Sequence, residues 1–448
     1  MMAGDNGGTE DRVRIVNSLY EGPGPSSGFP VPEPPAADDE ILRGESTAMP
    51  RRRHAMKEKP PPGMAVLTVS PQRPADDGSP QFTLEGTCHC SPRVPLGTYG
   101  RPDLDLGTNL EPGGPQPAKF LDGMGNWSYT KTEVREWLNL HRHRHQGKFE
   151  LVIRDVTAYR IPWELLQVPA NQEFGLGGGY LGALLTVTRW VALKPQRPEY
   201  VKPFDAPTPY QAAGPVVAYI ASDMEHDRDL LGDFDVDAAA SMWHLFSNLA
   251  GESGTTGAVA MVYVACHSEF GDNPDDCALD RFTLGRATLF DDNLPRLRAQ
   301  PTLVFLNGCR TGSVGFDVSR YNDRAVRGFA VVFLQSSAAG VLATTGAVGN
   351  EEAGKFAESL FAQLRADRSL SVARAVGRLR ADAGKEIIRL LRADPELFAE
   401  GELDERLLPL LYSFMYVYYG SPWLLMSIAS RGGSGEPGEQ GRAGSGAE

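Results

Sequence analysis

The sequence predicts an α/β fold: a mostly parallel sheet with helices on both faces, preceded by a Pro-rich, partly β N-terminal region. Two observations carry this. After Gly214, continuous apolar runs of strand length alternate with stretches of helical periodicity, the pattern of strands buried on both faces and joined by helical crossovers. Before residue 118, by contrast, lie more than half of the chain's 34 prolines, a composition that offers little apolar burial against the entropy of ordering the backbone.

Taken in order, GPGPSSGFPVPEPP and KPPPG read as linker. MAVLTVS (64–70) and QFTLEGTCHC (81–90) are β-like islands among them, enough for a small β element. Globular texture starts at Trp127, with a helix over Thr132 to His145 and a strand in KFELVIRD. PWELL is followed by a second extended run, YLGALLTVTRWVAL (180–193), and then by KPQRPEYVKPFDAPTP, a connector. Strands are predicted at VVAYIA (216–221), AVAMVYVA (258–265), TLVFLN (302–307) and GVLATT (340–345), with helices near 235–250 and 323–338. In the first of these helices Ala238, Met242, Leu245, Phe246 and Leu249 recur at helical spacing as a core face. No repeat of fixed period is evident, which excludes a solenoid.

Composition narrows the function classes. A net charge of −13 favours solubility and argues against direct nucleic-acid binding, which needs clustered positive charge; Arg51-Arg52-Arg53 reads as a solvated linker run. Five scattered cysteines, Cys88, Cys90, Cys266, Cys277 and Cys309, are too few for a disulfide framework and imply a reducing cytoplasm. The N-terminus lacks the basic and apolar regions of a secretory signal. Leu407 to Ile428, the most apolar late stretch, is interrupted by Pro409 and Gly420-Ser421-Pro422 and reads as core, so no membrane partner is expected.

Chemistry is expected beyond the carboxyl ends of parallel strands, where loops converge on a crevice. AVAMVYVA ends in Cys266-His267-Ser268-Glu269-Phe270-Gly271-Asp272, and TLVFLN ends in Gly308-Cys309-Arg310-Thr311-Gly312. If the two strands are neighbours, His267 and Cys309 enter one crevice. An imidazole beside a thiol can take its proton and give a nucleophile for acyl transfer. The flanking glycines permit tight backbone geometry, so the N–H groups of Ser268 and Cys309 could stabilise an oxyanion. Position alone leaves ordinary core packing as the alternative, since cysteine is among the most buried residue types.

Wider blocks favour the catalytic reading. VYVACHSEFGD and LVFLNGCRTGS resemble the histidine and cysteine blocks of CHAT-domain proteins, which belong to the caspase-like clan of cysteine peptidases with caspases, separases and metacaspases. IPWELL with VTRWVAL looks like the lead-in of that family, and GFAVVFLQSSAAGVLATTGAV like its helix and strand after the nucleophile. SLSVARAVGRLR looks like its late helix and YSFMYVYYGSPWLL like its closing strand. The resemblance spans about residues 148 to 428.

It implies a caspase-like cysteine endopeptidase, with His267 as general acid or base and Cys309 forming a thioester. It also implies a protein substrate, a regulatory protein partner, and a role in bacterial signalling or defence. The alternative is a catalytically inactive CHAT fold serving as scaffold or sensor. One departure bears on the choice: Ser268 stands where the family usually has glycine, and a left-handed turn there would be strained. In this clan a pocket near the strand ends holds the residue before the cut, so Asp223 in YIASD and Glu351 are candidate substrate-binding carboxylates for a basic side chain. The expected organisation is a Pro/Gly-rich region with a small β element at 1–117, a lead-in subdomain at 118–200, a caspase-like catalytic domain at 201–428 and a disordered tail at 429–448.

No cofactor or metal is predicted. His141, His143 and His145 lie on a predicted helix without an evident third ligand, and Cys88-His89-Cys90 lacks a second ligand pair. GLGGGYLG (175–182) lacks the Lys-Ser/Thr of a phosphate loop and reads as a flexible loop.

Overall fold

One mixed sheet of eleven strands organises the protein. The computed structural model describes residues 60–104, 117–146, 149–157, 159–191, 210–252, 257–271, 276–290, 293–316, 326–393, 398 and 401–431. The Pro-rich runs before 60, the Arg51–Arg53 run, the connector at 194–209, Asp272 and the tail beyond 431 lie outside the described residues. In chain order the principal elements are β1 (Met64–Gln72), β2 (Gln81–Cys88), β3 (Ser91–Gly100), α1 (Pro117–Tyr129), α2 (Thr132–His145), β4 (Glu150–Asp155), β5 (Thr186–Val191), β6 (Val216–Ile220) and β7 (Val236–Ala238). They continue with α3 (Met242–Leu249), β8 (Met261–Ala265), β9 (Leu303–Asn307), α4 (Phe329–Gln335), β10 (Gly340–Thr344), α5 (Asn350–Ala366), α6 (Val372–Arg392), α7 (Glu402–Met415) and β11 (Tyr416–Gly420).

Across the sheet the order is β7-β6-β8-β9-β10-β11-β5-β4-β1-β2-β3. Neighbours are parallel except at β10–β11, β1–β2 and β2–β3. Every residue of β8, β9, β10 and β11 is buried, so both faces of the sheet's centre are covered, as parallel strands require. Next to the other edge β2 alternates, with Phe82, Leu84, Gly86 and Cys88 buried and the residues between them partly exposed. There one face of an antiparallel hairpin packs on the protein and the other meets water. Among the described residues no helix is long and apolar enough to cross a membrane.

Several expectations shift. The two β-like islands become β1 and β2 of the main sheet, β1 pairing in parallel with β4. The run at 180–193 divides into a helical turn, Leu181–Leu184, and β5; an unbroken apolar run does not reveal its own period. Gly179–Tyr180, expected in a flexible loop, pairs with Gln167–Val168. The helix expected from 235 begins only after Ser241, whose hydroxyl accepts the His244 N–H at 3.1 Å as an N-cap. Ala238 therefore sits exposed on the edge strand β7, while Met242, Leu245, Phe246 and Leu249 form the buried face of α3.

The two halves of the sheet meet where β11 and β5 share a single register pair, Tyr419 with Arg189. A buried ion cluster closes this seam. Arg189 Nε donates to Glu164 Oε1 at 2.9 Å, its Nη2 reaches Glu164 Oε2 and the Ile161 carbonyl, and Arg380 Nη2 lies 3.8 Å from Glu164. Burial opposes ionisation of Glu164, but the two guanidiniums outweigh it and hold the carboxyl below its ordinary range. IPWELL, VTRWVAL and SLSVARAVGRLR, far apart in sequence, thus contribute one residue each to one site.

Candidate active site

Register brings the candidate residues together. β8 pairs with β9 from Met261–Leu303 through Ala265–Asn307, so His267 and Cys309 each lie two residues beyond the last pair, on the same edge. β6 pairs with the other side of β8, ending at Ile220–Ala265, and Asp223 follows three residues later. His267 Nε2 lies 2.6 Å from Asp223 Oδ2, which leaves Nδ1 as the nitrogen able to exchange a proton. That hydrogen bond holds the Asp223 carboxyl below its ordinary range. The pair is open to water, His267 being 65% and Asp223 53% exposed, so it orients the ring more than it stabilises the fold.

Cys309 is half-buried, with its Sγ 3.6 Å from the Val348 carbonyl. His267 and Cys309 line one narrow cleft with Asn307, Gly308, Thr344 and Val348. On the other side of Cys309 opens a cavity of about 400 Å³ lined by Ser268, Glu269, Phe270, Asp276 and Arg310. The neighbouring Cys266 differs: burial, reinforced by Asp280 and Asp223, pushes its thiol up to about 12 and keeps it protonated.

The loop carrying Cys309 is fixed on all sides. A Cβ on Gly308 would stand 2.4 Å from the Cys266 carbonyl oxygen, so only glycine fits. Thr311 Oγ1 donates to the Leu306 carbonyl at 2.9 Å, and Thr344 Oγ1 donates to that of Gly308. Arg310 N–H donates to Gly346 O at 3.0 Å, and Gly312 N–H to Thr344 O at 2.7 Å. Tyr419 Oη donates to the Gly312 carbonyl at 2.8 Å.

The strain expected at Ser268 falls elsewhere. Ser268 is extended and pairs with Leu279, while left-handed backbone falls at Arg310, with φ 56°, and at Asp280 and Arg281 beyond Leu279. Ser268 Oγ donates to the Cys309 carbonyl, an interaction that glycine could not make.

The two carboxylates expected to bind substrate are placed differently from that expectation. Asp223 is engaged with His267. Glu351 lies in the first turn of α5, exposed and paired with Lys355 at 2.6 Å, and lines neither cleft nor cavity. The carboxylates beside Cys309 are instead those of Glu269 and Asp276. Sequence reasoning also missed a buried network beneath the cleft. Asn307 Nδ2 donates to Asp227 at 2.7 Å, Tyr263 Oη donates to the same carboxylate, and Tyr416 Oη donates to Asn307 Oδ1 at 2.6 Å. The one signal in the sequence was a polar Asn307 ending an otherwise apolar strand.

Far from this cleft, among the described residues, one group could hold a metal: Cys88, Cys90, His141 and His145. The two sequence signals, each incomplete alone, meet in the fold.

Comparison with known proteins places the chain. A family model described as CHAT domain matches residues 140–395. Two structures of the Saccharomyces cerevisiae separase–securin complex, at 2.6 and 3.0 Å resolution, are similar, with TM-scores of 0.37 and 0.34 and 14% identity in each case. Both alignments cover 69% of this chain but only 19% and 18% of the yeast chain. The present chain therefore spans about a fifth of the length of those chains. No curated protein matches it.

Proposed function

Because this chain belongs to the CHAT-domain family, we propose that it is a cysteine endopeptidase in which Cys309 is the nucleophile, His267 its acid–base partner and Asp223 the group that orients His267. The observation that carries this reading is the register of β6, β8 and β9. It sets the three side chains in order along one edge of the sheet, with Cys309 and His267 sharing a cleft.

In the first step His267 Nδ1 takes the Cys309 thiol proton as Sγ forms a bond to the scissile carbonyl carbon, and the carbonyl π electrons move to oxygen. The backbone N–H groups of Cys309 and Ser268 stabilise that oxyanion. Collapse breaks the C–N bond, and the imidazolium returns its proton to the departing amine, leaving a thioester on Cys309. Water, deprotonated by His267, then attacks the thioester carbonyl; the thiol departs and recovers the proton. Asp223 holds one ring tautomer and stabilises the imidazolium by its negative charge.

Glu269 and Asp276 make the cavity beside Cys309 suited to a basic side chain preceding the cut. A regulatory protein partner and a role in bacterial signalling or defence belong to the same reading. The extended Ser268 removes the strain argument that favoured an inactive scaffold.

The test compares wild type with Cys309→Ala for labelling by a thiol-directed activity probe and for cleavage of proteins in cells, mapped by mass spectrometry. Labelling and cleavage confined to the wild type, with cuts after Arg or Lys, is the expected result. Identical behaviour of the two proteins under activating conditions would sink the enzyme reading. Thiol labelling without any peptide cleavage would redirect it to another acyl-transfer reaction.

A further inference from the structure

The tip of the β2–β3 hairpin rests on the last turns of α2, and four side chains converge there. Cys88 ends β2, Cys90 lies in the two-residue turn, and His141 and His145 stand one helical turn apart on the same face of α2. Cys88 Sγ lies 3.3 Å from Cys90 Sγ and 3.2 Å from His145 Nε2. Cys90 Sγ lies 3.4 Å from His141 Nδ1 and 3.5 Å from His145 Nε2. All four donor atoms fall within 4.8 Å of one another.

We infer that these four residues form a tetrahedral Cys2His2 zinc site that clamps the hairpin to α2. A tetrahedron with Zn–S near 2.3 Å and Zn–N near 2.0–2.1 Å has edges of about 3.8 Å between sulfurs and about 3.6 Å between sulfur and nitrogen. The four separations given need to widen by up to about half an ångström, and the remaining donor pairs, which fall within 4.8 Å, to settle near the same edge lengths, to admit the ion. The donor set is two soft thiolates and two imidazoles with no carboxylate, the set that suits zinc rather than calcium or magnesium. Four protein ligands leave no open position, so the site is structural.

The surroundings are those of a prepared site. With Nδ1 of His141 turned to Cys90, the opposite nitrogen, Nε2, lies 3.3 Å from Ser91 Oγ, the outer contact that fixes a ligating imidazole's tautomer. The intervening His143 stacks on Phe174 instead, with ring centroids 4.6 Å apart. His89 accepts the Gly63 N–H at its Nδ1. Cys88 and His141 are fully buried. The hairpin is docked a second time where Gly86 lies against the Trp137 ring, with no room for a Cβ: 2.5 Å to Cε2.

The experiment measures metal by plasma mass spectrometry in the full chain expressed with added zinc. One zinc per chain is expected in wild type, in Cys309→Ala and in His143→Ala; Cys90→Ser and His145→Ala should lose it. Replacing zinc by cobalt should give a thiolate charge-transfer band that Cys90→Ser lacks. Cys90 is exposed and His145 half-buried, so these variants retain the core, and an unchanged far-ultraviolet circular dichroism spectrum checks that they do. Substoichiometric zinc in wild type, retention of zinc by a Cys90→Ser/His145→Ala double variant, or a Cys88–Cys90 disulfide in freshly purified protein would each overturn the assignment. The readout is metal content, so it stands apart from the fate of the peptidase reading.

Discussion

The molecule places cysteine beside histidine twice, to opposite ends. At the edge of β8 and β9 one thiol and one imidazole face a cleft, with a carboxylate behind the ring and a cavity of about 400 Å³ alongside. At the tip of the β2–β3 hairpin two thiols and two imidazoles face one another, with two of the four fully buried. A thiol beside one imidazole and open space has the setting that the proposed nucleophile needs. Two thiols and two imidazoles turned inward satisfy a cation and leave nothing for a substrate. Openness and the number of donors separate the two sites, not residue type.

That contrast can be broken or sharpened by substitution. The largest effect after loss of Cys309 itself is expected for Gly308→Ala. Its new methyl must displace the Cys266 carbonyl or the backbone that leads into Cys309, and under the proposed function a shift of this kind costs roughly a hundredfold or more in kcat. Single-turnover cleavage checks it, with metal content unchanged.

Asp223→Asn comes next, with an expected loss of about tenfold in kcat, below the roughly hundredfold or more that general acid–base assistance itself supplies, because Asp223 orients the base without replacing it. Because the Asp223 carboxyl is held below its ordinary value of 3.8, its benefit is complete above that value and is lost only as pH falls through the depressed one. The Asp223 carboxyl should therefore contribute no inflection of its own to the pH–rate profile between about pH 8 and pH 5. An inflection in that range that persists in Asp223→Asn belongs to another group. The smallest effect is expected for Ser268→Ala, which removes one hydrogen bond to the Cys309 carbonyl. A bond of that kind contributes about 1 kcal/mol, a change of a few-fold in kcat/KM. An increase in rate on Ser268→Gly beyond that range would mean that the serine hinders the turn.

The two sites also differ in how far the sequence revealed them. His267 and Cys309 each follow an unbroken apolar run, and their spacing equals the register offset of two adjacent parallel strands, so local pattern and topology agree. Cys90 and His141 are 51 residues apart, with β3 and α1 between them, and no periodicity links a hairpin tip to a distant helix. Nor could charge pattern link Glu164 to Arg189 and Arg380, which meet only at the seam. Asp223 was legible as a carboxylate at a strand end, but its partner was not: which neighbour it faces depends on β6 lying beside β8. The start of α3 was missed because the Ser241 hydroxyl, a local cap, outweighs the apolar spacing that runs through it.

The single register pair between β11 and β5 has a consequence in time. β11 is the last of the eleven strands in chain order, yet it lies in the middle of the sheet, between β10 and β5. Strand pairing between the two halves of the sheet therefore waits until a ribosome has delivered residues 416–420. The same five residues supply Tyr416, which holds Asn307, and Tyr419, which holds the Gly312 carbonyl. The nascent chain can carry Cys309 and His267 into the cell well before the strand that completes their setting, so the cleft is among the last features of the protein to be finished.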